Sequence, residues 1–224
     1  TEDATGKKHS WGNDLSYAKV AFGDPNYTMS LPMNFTVSTA LDAVSHSLES
    51  YFSKAADDIS DMYALSALHI LLPTLKDIWA QGGMPTLEQR EALYNASIYA
   101  GFAINSSGTL FCHTMGYYLS EEVGIPHGYA CAAFLPEFIS YSVPLAPQKA
   151  QRLFKMLGIY AEELRDTIKM LTEVDFEPIS DEKLEEMLVS WKGVKNMEKT
   201  LGSFDTNAQR EIAQRVLQKK LEEK

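Results

Sequence analysis

Cysteine is scarce in this sequence, with two residues in 224. Two cysteines are too few for a disulfide framework, which indicates a reduced, cytoplasmic compartment. Positive charge is also scarce, because 20 Lys and Arg face 30 Asp and Glu and leave a formal net charge of −10 at pH 7. Without a basic patch to neutralise phosphates, neither nucleic acid nor an anionic membrane is an expected partner. No apolar run approaches the length of a membrane span, and no signal-peptide pattern opens the chain.

Several motifs of enzyme chemistry are missing as well. There is no Gly-rich phosphate loop, since Gly82-Gly83 follows a helical pattern and not a strand. Ser106-Ser107-Gly108 lacks the preceding strand that a nucleophile elbow requires. A metallohydrolase of the His-Asp type is disfavoured because no His-Asp dipeptide occurs. The chain begins at Thr1 with no initiator Met, which suggests a trimmed or partial chain.

Helical periodicity dominates the sequence from Thr36 onward, and 45% hydrophobic residues are enough to bury a sizeable core. Capping residues and breakers divide the pattern into separate helices, and Thr86 with Gln89 fits a capping box. The expected helices cover about 38–53, about 57–81, about 86–105, about 109–120 and about 129–142 (with an interruption near Pro136), and further helices start near positions 147, 180 and 207.

The opening thirty residues differ from the rest of the chain. A strand-like patch at residues 17–22 ends at the turn signal Gly23-Asp24-Pro25-Asn26. So little strand material cannot form a stable sheet alone. We therefore interpret this opening as the tail of a larger unit.

Residues 41–51 place a carboxylate and an imidazole four positions apart inside an apolar helical run. Residues at i and i+4 lie on one helix face, so Asp42 and His46 can both face one metal ion. A polar pair in an apolar run needs a partner, because burying an unpaired charge is costly. An ordinary salt bridge or a core hydrogen bond would also satisfy the pair, so this spacing alone leaves the partner open.

Two further histidines occur in otherwise apolar surroundings. A helix end separates them, which predicts His113 on a helix and His127 in a loop or first helical turn. Three histidines and one aspartate are a donor set that suits Fe(II), Zn(II) or a similar divalent ion. Cys112 and Cys131 each lie near one of these histidines, so a Cys-His zinc site is a competing hypothesis. We interpret both cysteines as small core residues, since adjacent helix positions diverge by about 100° and Cys112 should point away from what His113 faces.

A series of short motifs also runs through roughly the first 160 residues. In order they are Gly23-Asp24-Pro25, Leu31-Pro32, Asp42-Ala43-x-x-His46-x-x-Glu49-x-Tyr51, Ser60-Asp61-x-x-Ala64, Ala96-Ser97-x-x-Ala100-Gly101, Asn105-x-x-Gly108-Thr109-x-x-x-His113, Ile125-Pro126-His127-Gly128 and Leu135-Pro136. Their order and gaps resemble the iron-containing (group III) alcohol dehydrogenases.

This resemblance implies that Asp42, His46, His113 and His127 bind one divalent metal, commonly iron and sometimes zinc. The metal would polarise the oxygen of an alcohol or carbonyl substrate while a hydride moves between the substrate carbon and NAD or NADP.

The resemblance also assigns two residues outside the ligand set. Lys8 matches a lysine that contacts the cofactor in relatives. Tyr117 stands where many relatives have a histidine that is proposed to relay protons, and a packing role explains Tyr117 equally well. The family's amino-terminal α/β domain with its Gly-rich loop is absent from this chain, which is therefore expected neither to bind a nicotinamide cofactor well nor to turn over alone.

We therefore predict a mainly α fold, a multi-helix bundle domain like the α domain of dehydroquinate synthase, with a short strand-like N-terminal remnant of an α/β domain. Residues 1–32 would be the remnant of the cofactor-binding domain, and residues 33–224 the helical metal-binding and catalytic domain. The predicted activity is that of a metal-dependent NAD(P)-linked alcohol dehydrogenase or aldehyde reductase. The alternative is a helical metal-binding or interaction module without redox activity.

The predicted partners are a small alcohol or aldehyde and the missing nucleotide-binding domain, and a homodimer is compatible with the sequence. Phe102, Asn105, Phe111 and Tyr117 are candidate residues for lining the substrate cleft. Their character suggests a small and fairly apolar substrate.

Overall fold

The computed structural model describes residues 13–219, and nearly all regular structure in that part of the chain is helical. Its α-helices are α1 (Met33–Tyr51), α2 (Asp58–Gln81), α3 (Leu87–Ser107), α4 (Phe111–Glu121), α5 (His127–Ala132), α6 (Leu135–Leu145), α7 (Pro147–Leu157), α8 (Ala161–Leu171), α9 (Asp181–Ser190), α10 (Lys195–Glu198) and α11 (Thr206–Leu217). The β pairing found there is an isolated bridge between Ser53 and Thr200. The prediction of a mainly α fold is confirmed.

The helix boundaries follow the local signals of the sequence. Asp57 caps α2 by accepting a 2.7 Å hydrogen bond from the backbone N–H of Ser60, and Gly82 ends that helix in the left-handed conformation with φ of 66°. Thr86 and Gln89 form the predicted capping box at the start of α3. These starts and stops are set within a few residues of chain, which is why they could be predicted.

Helix α1 lies at the centre of the fold, in contact with α2, α3, α4 and α5. Leu41, Val44 and Leu48 are fully buried along it. A helix that is covered on several sides needs an apolar surface almost all round, which explains the apolar run around Asp42 and His46. No helix in the described part of the chain is long and apolar enough to span a membrane.

The strand-like patch was the main error in the predicted fold. Residues 17–22 form no strand, and Val20 and Phe22 are 67% and 97% exposed. A β-rich run needs a neighbouring strand to pair with, and residues 13–219 contain none beside it. Tyr17 instead donates a 2.7 Å hydrogen bond to Asn105 Oδ1 on α3.

Other differences are smaller. Helix α1 begins at Met33, directly after Pro32, five residues before the predicted start at Ser38. Helices α8 and α10 were not predicted. The domain boundary between residues 32 and 33 stays a prediction, and Lys8 lies outside the described residues.

Candidate metal centre

Helix α1 provides the first two predicted ligands. Asp42 and His46 lie one turn apart on one face, with Asp42 Oδ1 3.7 Å from His46 Nε2. Their side chains are 25% and 22% exposed, so this face is covered in part and opens in part to solvent. The i,i+4 spacing therefore places both donors on the same side of α1, as predicted.

The other two predicted ligands come from the starts of two later helices. His113 lies in the first turn of α4, and His127 is the first residue of α5. Both helices contact α1. Gly128 permits the close approach of α5, because a Cβ atom at this position would lie 2.5 Å from the carbonyl carbon of Ser38 on α1.

One oxygen of Asp42 lies close to all three predicted histidine ligands. Asp42 Oδ1 lies 3.3 Å from His113 Nε2 and 3.8 Å from His127 Nε2, in addition to its 3.7 Å distance from His46. Ligand atoms about 2.1 Å from a tetrahedral metal lie roughly 3.4 Å from one another. The distances from Asp42 are therefore in the range expected between ligand atoms of one metal ion.

Two of these atoms also lack hydrogen-bond partners. Asp42 Oδ1 and His113 Nε2 are both buried, and neither is hydrogen-bonded. Buried polar atoms almost always have a hydrogen-bond partner, so two neighbouring buried atoms without one require an explanation. A cation between them would coordinate both atoms, so the residues present fit a metal ion.

The surroundings of Asp42 and His46 favour the protonation states in which these side chains bind a cation. Burial lowers the pKa of His46, which keeps its imidazole neutral, the form that binds metals. Burial acts to raise the pKa of Asp42, but the imidazoles of His113, His46 and His127 outweigh it and hold this pKa below its usual value. Asp42 therefore stays ionised at neutral pH.

His113 shows the opposite balance. Burial acts to lower its pKa, but the carboxylates of Glu49 and Asp42 and the nearby Cys131 outweigh it and hold the pKa well above its usual value. Without a metal, the buried carboxylates thus attract a proton to this imidazole.

Cys131 lies closer to the centre than the interpretation as a core residue implied. It is fully buried, but its Sγ is 3.6 Å from His127 Nε2, and one donor atom each from Asp42, His113, His127 and Cys131 all lie within 4.8 Å of one another. Burial raises the pKa of this thiol, which favours the protonated form over the thiolate that a metal requires. Cys131 is therefore a second candidate, beside His46, for the fourth ligand.

The contact of Glu49 with this centre was not predicted from the sequence. Its buried carboxylate contacts His113 Nδ1 and accepts a 2.7 Å hydrogen bond from the backbone N–H of Cys112. A signal existed, since Glu49 follows Asp42 by seven positions and His46 by three and thus shares their helix face.

The remaining predicted residues fall in different places. Tyr117 lies one turn after His113 on α4, and its ring stacks on that of His127 with centroids 5.9 Å apart. Phe102 is half exposed, in contact with Tyr63 on α2. Phe111 was wrongly placed in the substrate cleft, because it is fully buried in the core.

Phe111 packs between other aromatic rings of that core. Its centroid lies 4.6 Å from that of Phe204 and 5.2 Å from that of Phe138. The sequence alone could not separate an aromatic residue of the cleft from one of the core.

Comparison with known proteins identifies the family of this chain. The family described as Fe-containing alcohol dehydrogenase family, C-terminal, matches residues 36–218. The chain belongs to this family. The 1,3-propanediol dehydrogenase of Klebsiella pneumoniae is 32% identical over 149 residues, which are 66% of this chain and 37% of that enzyme.

Solved structures agree with the sequence comparison. An iron-containing alcohol dehydrogenase from Thermotoga maritima has a TM-score of 0.75 and 31% identity, over 87% of this chain and 52% of that one. A sulfoacetaldehyde reductase from Bifidobacterium kashiwanohense, solved with NAD+, shares the fold with a TM-score of 0.79 at 22% identity, over 88% of this chain and 54% of that one. This chain thus spans about half or less of the length of these proteins.

Proposed function

We propose that this chain supplies the metal-binding half of an NAD(P)-linked alcohol dehydrogenase or aldehyde reductase. Asp42, His46, His113 and His127 would bind one divalent ion, with Fe2+ the first candidate and Zn2+ the second. The observation that supports this most directly is the position of Asp42 Oδ1, 3.3 to 3.8 Å from Nε2 of all three histidines.

The charges of the centre support a divalent ion. Asp42 and Glu49 bring two carboxylates to a place that is partly closed to solvent, and the three imidazoles are neutral when they act as ligands. Buried charges need compensation, and a dication balances two carboxylates. Three nitrogens and one oxygen are ligands that iron and zinc both accept.

The proposed chemistry combines the ion with residues of α4. A bound metal supplies a Lewis acid that polarises the substrate oxygen. We infer that the phenol of Tyr117, which is on the same helix as His113, donates a hydrogen bond to this oxygen, and packing on His127 is the alternative role. Tyr117→Phe keeps the ring and removes the hydroxyl, so a fall in kcat of at least about tenfold supports catalysis, whereas unchanged kcat supports packing.

Three further proposals concern the whole protein. The hydride acceptor would be NAD or NADP held by a nucleotide-binding domain, and the substrate would be a small alcohol or aldehyde, as the name of the propanediol relative suggests. Residues 1–32 would belong to that domain. A cytoplasmic location and a homodimer stay predictions.

The metal proposal is tested by metal analysis of the chain purified without oxygen. About one iron or zinc ion per chain is expected in the wild type, with strong loss in His113→Ala and His127→Ala. His69→Ala is the matched control, because His69 is exposed on α2 and outside the centre. Equal metal content in all four proteins would refute the four-ligand site.

The fourth ligand is tested separately. His46→Ala should weaken metal binding strongly, whereas Cys131→Ser should leave it nearly unchanged. With Co2+ in the site, a thiolate-to-metal charge-transfer band would instead assign Cys131 as the ligand.

The redox proposal is tested in the polypeptide that joins this chain to a nucleotide-binding domain. NADH or NADPH formation with 1,3-propanediol or a similar small alcohol is expected, and it should depend on the metal. Metal binding without hydride transfer for any alcohol or aldehyde would favour the alternative, a metal-binding module without redox activity.

A further inference from the structure

Glu49 carries a carboxylate that is fully buried within the bundle, with 0% of its side chain exposed. It lies on α1, on the same face as Asp42 and His46, but it is not one of the proposed ligands. A buried carboxylate is strongly destabilising unless hydrogen bonds compensate it. The partners of Glu49 therefore indicate what it does.

Those partners all belong to the first turn of α4. Glu49 Oε1 accepts hydrogen bonds from the backbone N–H groups of Cys112 at 2.7 Å and His113 at 3.3 Å. Helix α4 starts after Leu110, whose side chain provides no cap. The first N–H groups of a helix have no partners within that helix, and its N-terminus carries partial positive charge. Glu49 thus caps α4 from a different helix.

The second carboxylate oxygen of Glu49 contacts the His113 ring. Glu49 Oε2 makes a short contact with His113 Nδ1, while Nε2 of the same ring lies 3.3 Å from Asp42 Oδ1 without a hydrogen bond. An ionised carboxylate only accepts hydrogen bonds, so the proton between Glu49 and the ring belongs on Nδ1. The lone pair of a neutral ring is then on Nε2, the atom that faces Asp42.

We propose that Glu49 is a positioning residue, which holds His113 in the Nδ1–H tautomer, aims its Nε2 at the metal and fixes the start of α4 on α1. This inference rests on the proposed metal function. Carboxylates behind metal-binding histidines commonly set the ring orientation and strengthen the ligand, and their loss weakens metal binding about 10- to 100-fold.

Glu49→Gln tests this role at almost constant side-chain size. The amide oxygen of Gln can still accept the two backbone hydrogen bonds at α4, but its NH2 group is a donor and favours the opposite ring tautomer. Zinc affinity, measured by competition with a chelator, should fall about 10- to 100-fold. The helical content of the metal-free chain, measured by circular dichroism, should stay close to wild type, because the cap is kept.

Glu88→Gln is the matched control. Glu88 lies exposed in the first turn of α3, so this change removes one carboxylate near a helix start without touching the centre. Its zinc affinity should equal that of the wild type. Glu49→Asp, which keeps the charge on a shorter side chain, should restore part of the affinity that Glu49→Gln loses.

Nitrogen-15 NMR of the zinc-loaded wild-type chain reads the tautomer directly. A proton on Nδ1 of His113 is expected, and a proton on Nε2 would overturn the proposal. Zinc affinity in Glu49→Gln equal to wild type would also overturn it while leaving the metal site intact. If the wild type itself binds no zinc or iron, the proposed function fails and this role fails with it.

Discussion

Gly128→Ala should separate α5 from α1 and thereby damage the metal centre. Gly128 follows His127 directly, and a Cβ atom there would lie 2.5 Å from the carbonyl carbon of Ser38 and closer still to its oxygen. Both obstacles are backbone atoms of α1, which no rotamer change can move. The two helices must therefore shift apart.

The size of the shift follows from contact distances. Two carbon atoms in van der Waals contact lie about 3.5 Å apart, so a gap of 2.5 Å must widen by about 1 Å or more. Metal–ligand distances tolerate about 0.2 Å, so a movement of this size takes His127 out of reach of the ion. Overpacking of a tight contact costs about 1–3 kcal/mol of stability.

Urea unfolding of the metal-free chain and zinc titration measure the two effects. Gly128→Ala should lose about 1–3 kcal/mol of unfolding free energy and at least about tenfold in zinc affinity. Gly101→Ala is the matched control, because a Cβ atom at this exposed position in the second half of α3 would have no atom within 4 Å apart from those of its chain neighbours and its own helix backbone. It should stabilise the chain by about 0.5–1 kcal/mol, with unchanged zinc affinity.

The unfolding free energy of Gly116→Ala should lie between those of Gly128→Ala and Gly101→Ala, since its Cβ atom would lie 2.9 Å from the carbonyl oxygen of Ala130. A Gly128→Ala chain as stable as wild type would refute the close approach of the two helices. Lower stability with unchanged zinc affinity would instead show that this contact does not position His127.

Three further changes test other parts of the chain. Removing the metal with a chelator should lower stability by about 2.7 kcal/mol when free metal had been near 100 times its Kd, as seen in urea unfolding. Asp57→Ala removes the side chain that caps α2 by accepting a hydrogen bond from the backbone N–H of Ser60. It should lower the unfolding free energy by about 1 kcal/mol, measured by urea unfolding. Burial raises the pKa of Tyr51 to about 12, so the unfolded state, which titrates near 10, ionises first. Stability should then fall by up to about 3 kcal/mol between about pH 10 and about pH 12, and Tyr51→Phe should remove this fall in urea unfolding at high pH.

The predictable part of this molecule is the part that neighbouring residues determine. Asp42 and His46 lie on the same face of α1 because they are one helical turn apart, and this spacing can be read from the sequence. Asp57 and Thr86 start helices because their side chains cap nearby N–H groups. Helix α8 was also within reach, since Leu164, Ile168 and Leu171 are buried at helical spacing.

The errors of the sequence-based prediction lie where contacts between residues distant in sequence determine the structure. Residues 17–22 have strand-like composition, but no strand in the described part of the chain lies beside them. Glu49 is joined to His113 across 64 positions, and only the packing of α4 on α1 reveals that pairing. Cys131 follows His127 by four positions, so the same spacing argument that selected Asp42 and His46 also applied to it.

The centre is built so that α1 sets the position of every proposed ligand. Asp42 and His46 are part of that helix. His113 is fixed to it by the carboxylate of Glu49, and His127 by the backbone contact that Gly128 permits. One inserted residue would rotate the following part of α1 by about 100°, so an insertion between Asp42 and His46 would part the two ligands and also turn Glu49 away from α4. The exact seven-residue interval from Asp42 to Glu49 is therefore a requirement of the site, which a substitution elsewhere on α1 does not disturb as long as the helix stays intact.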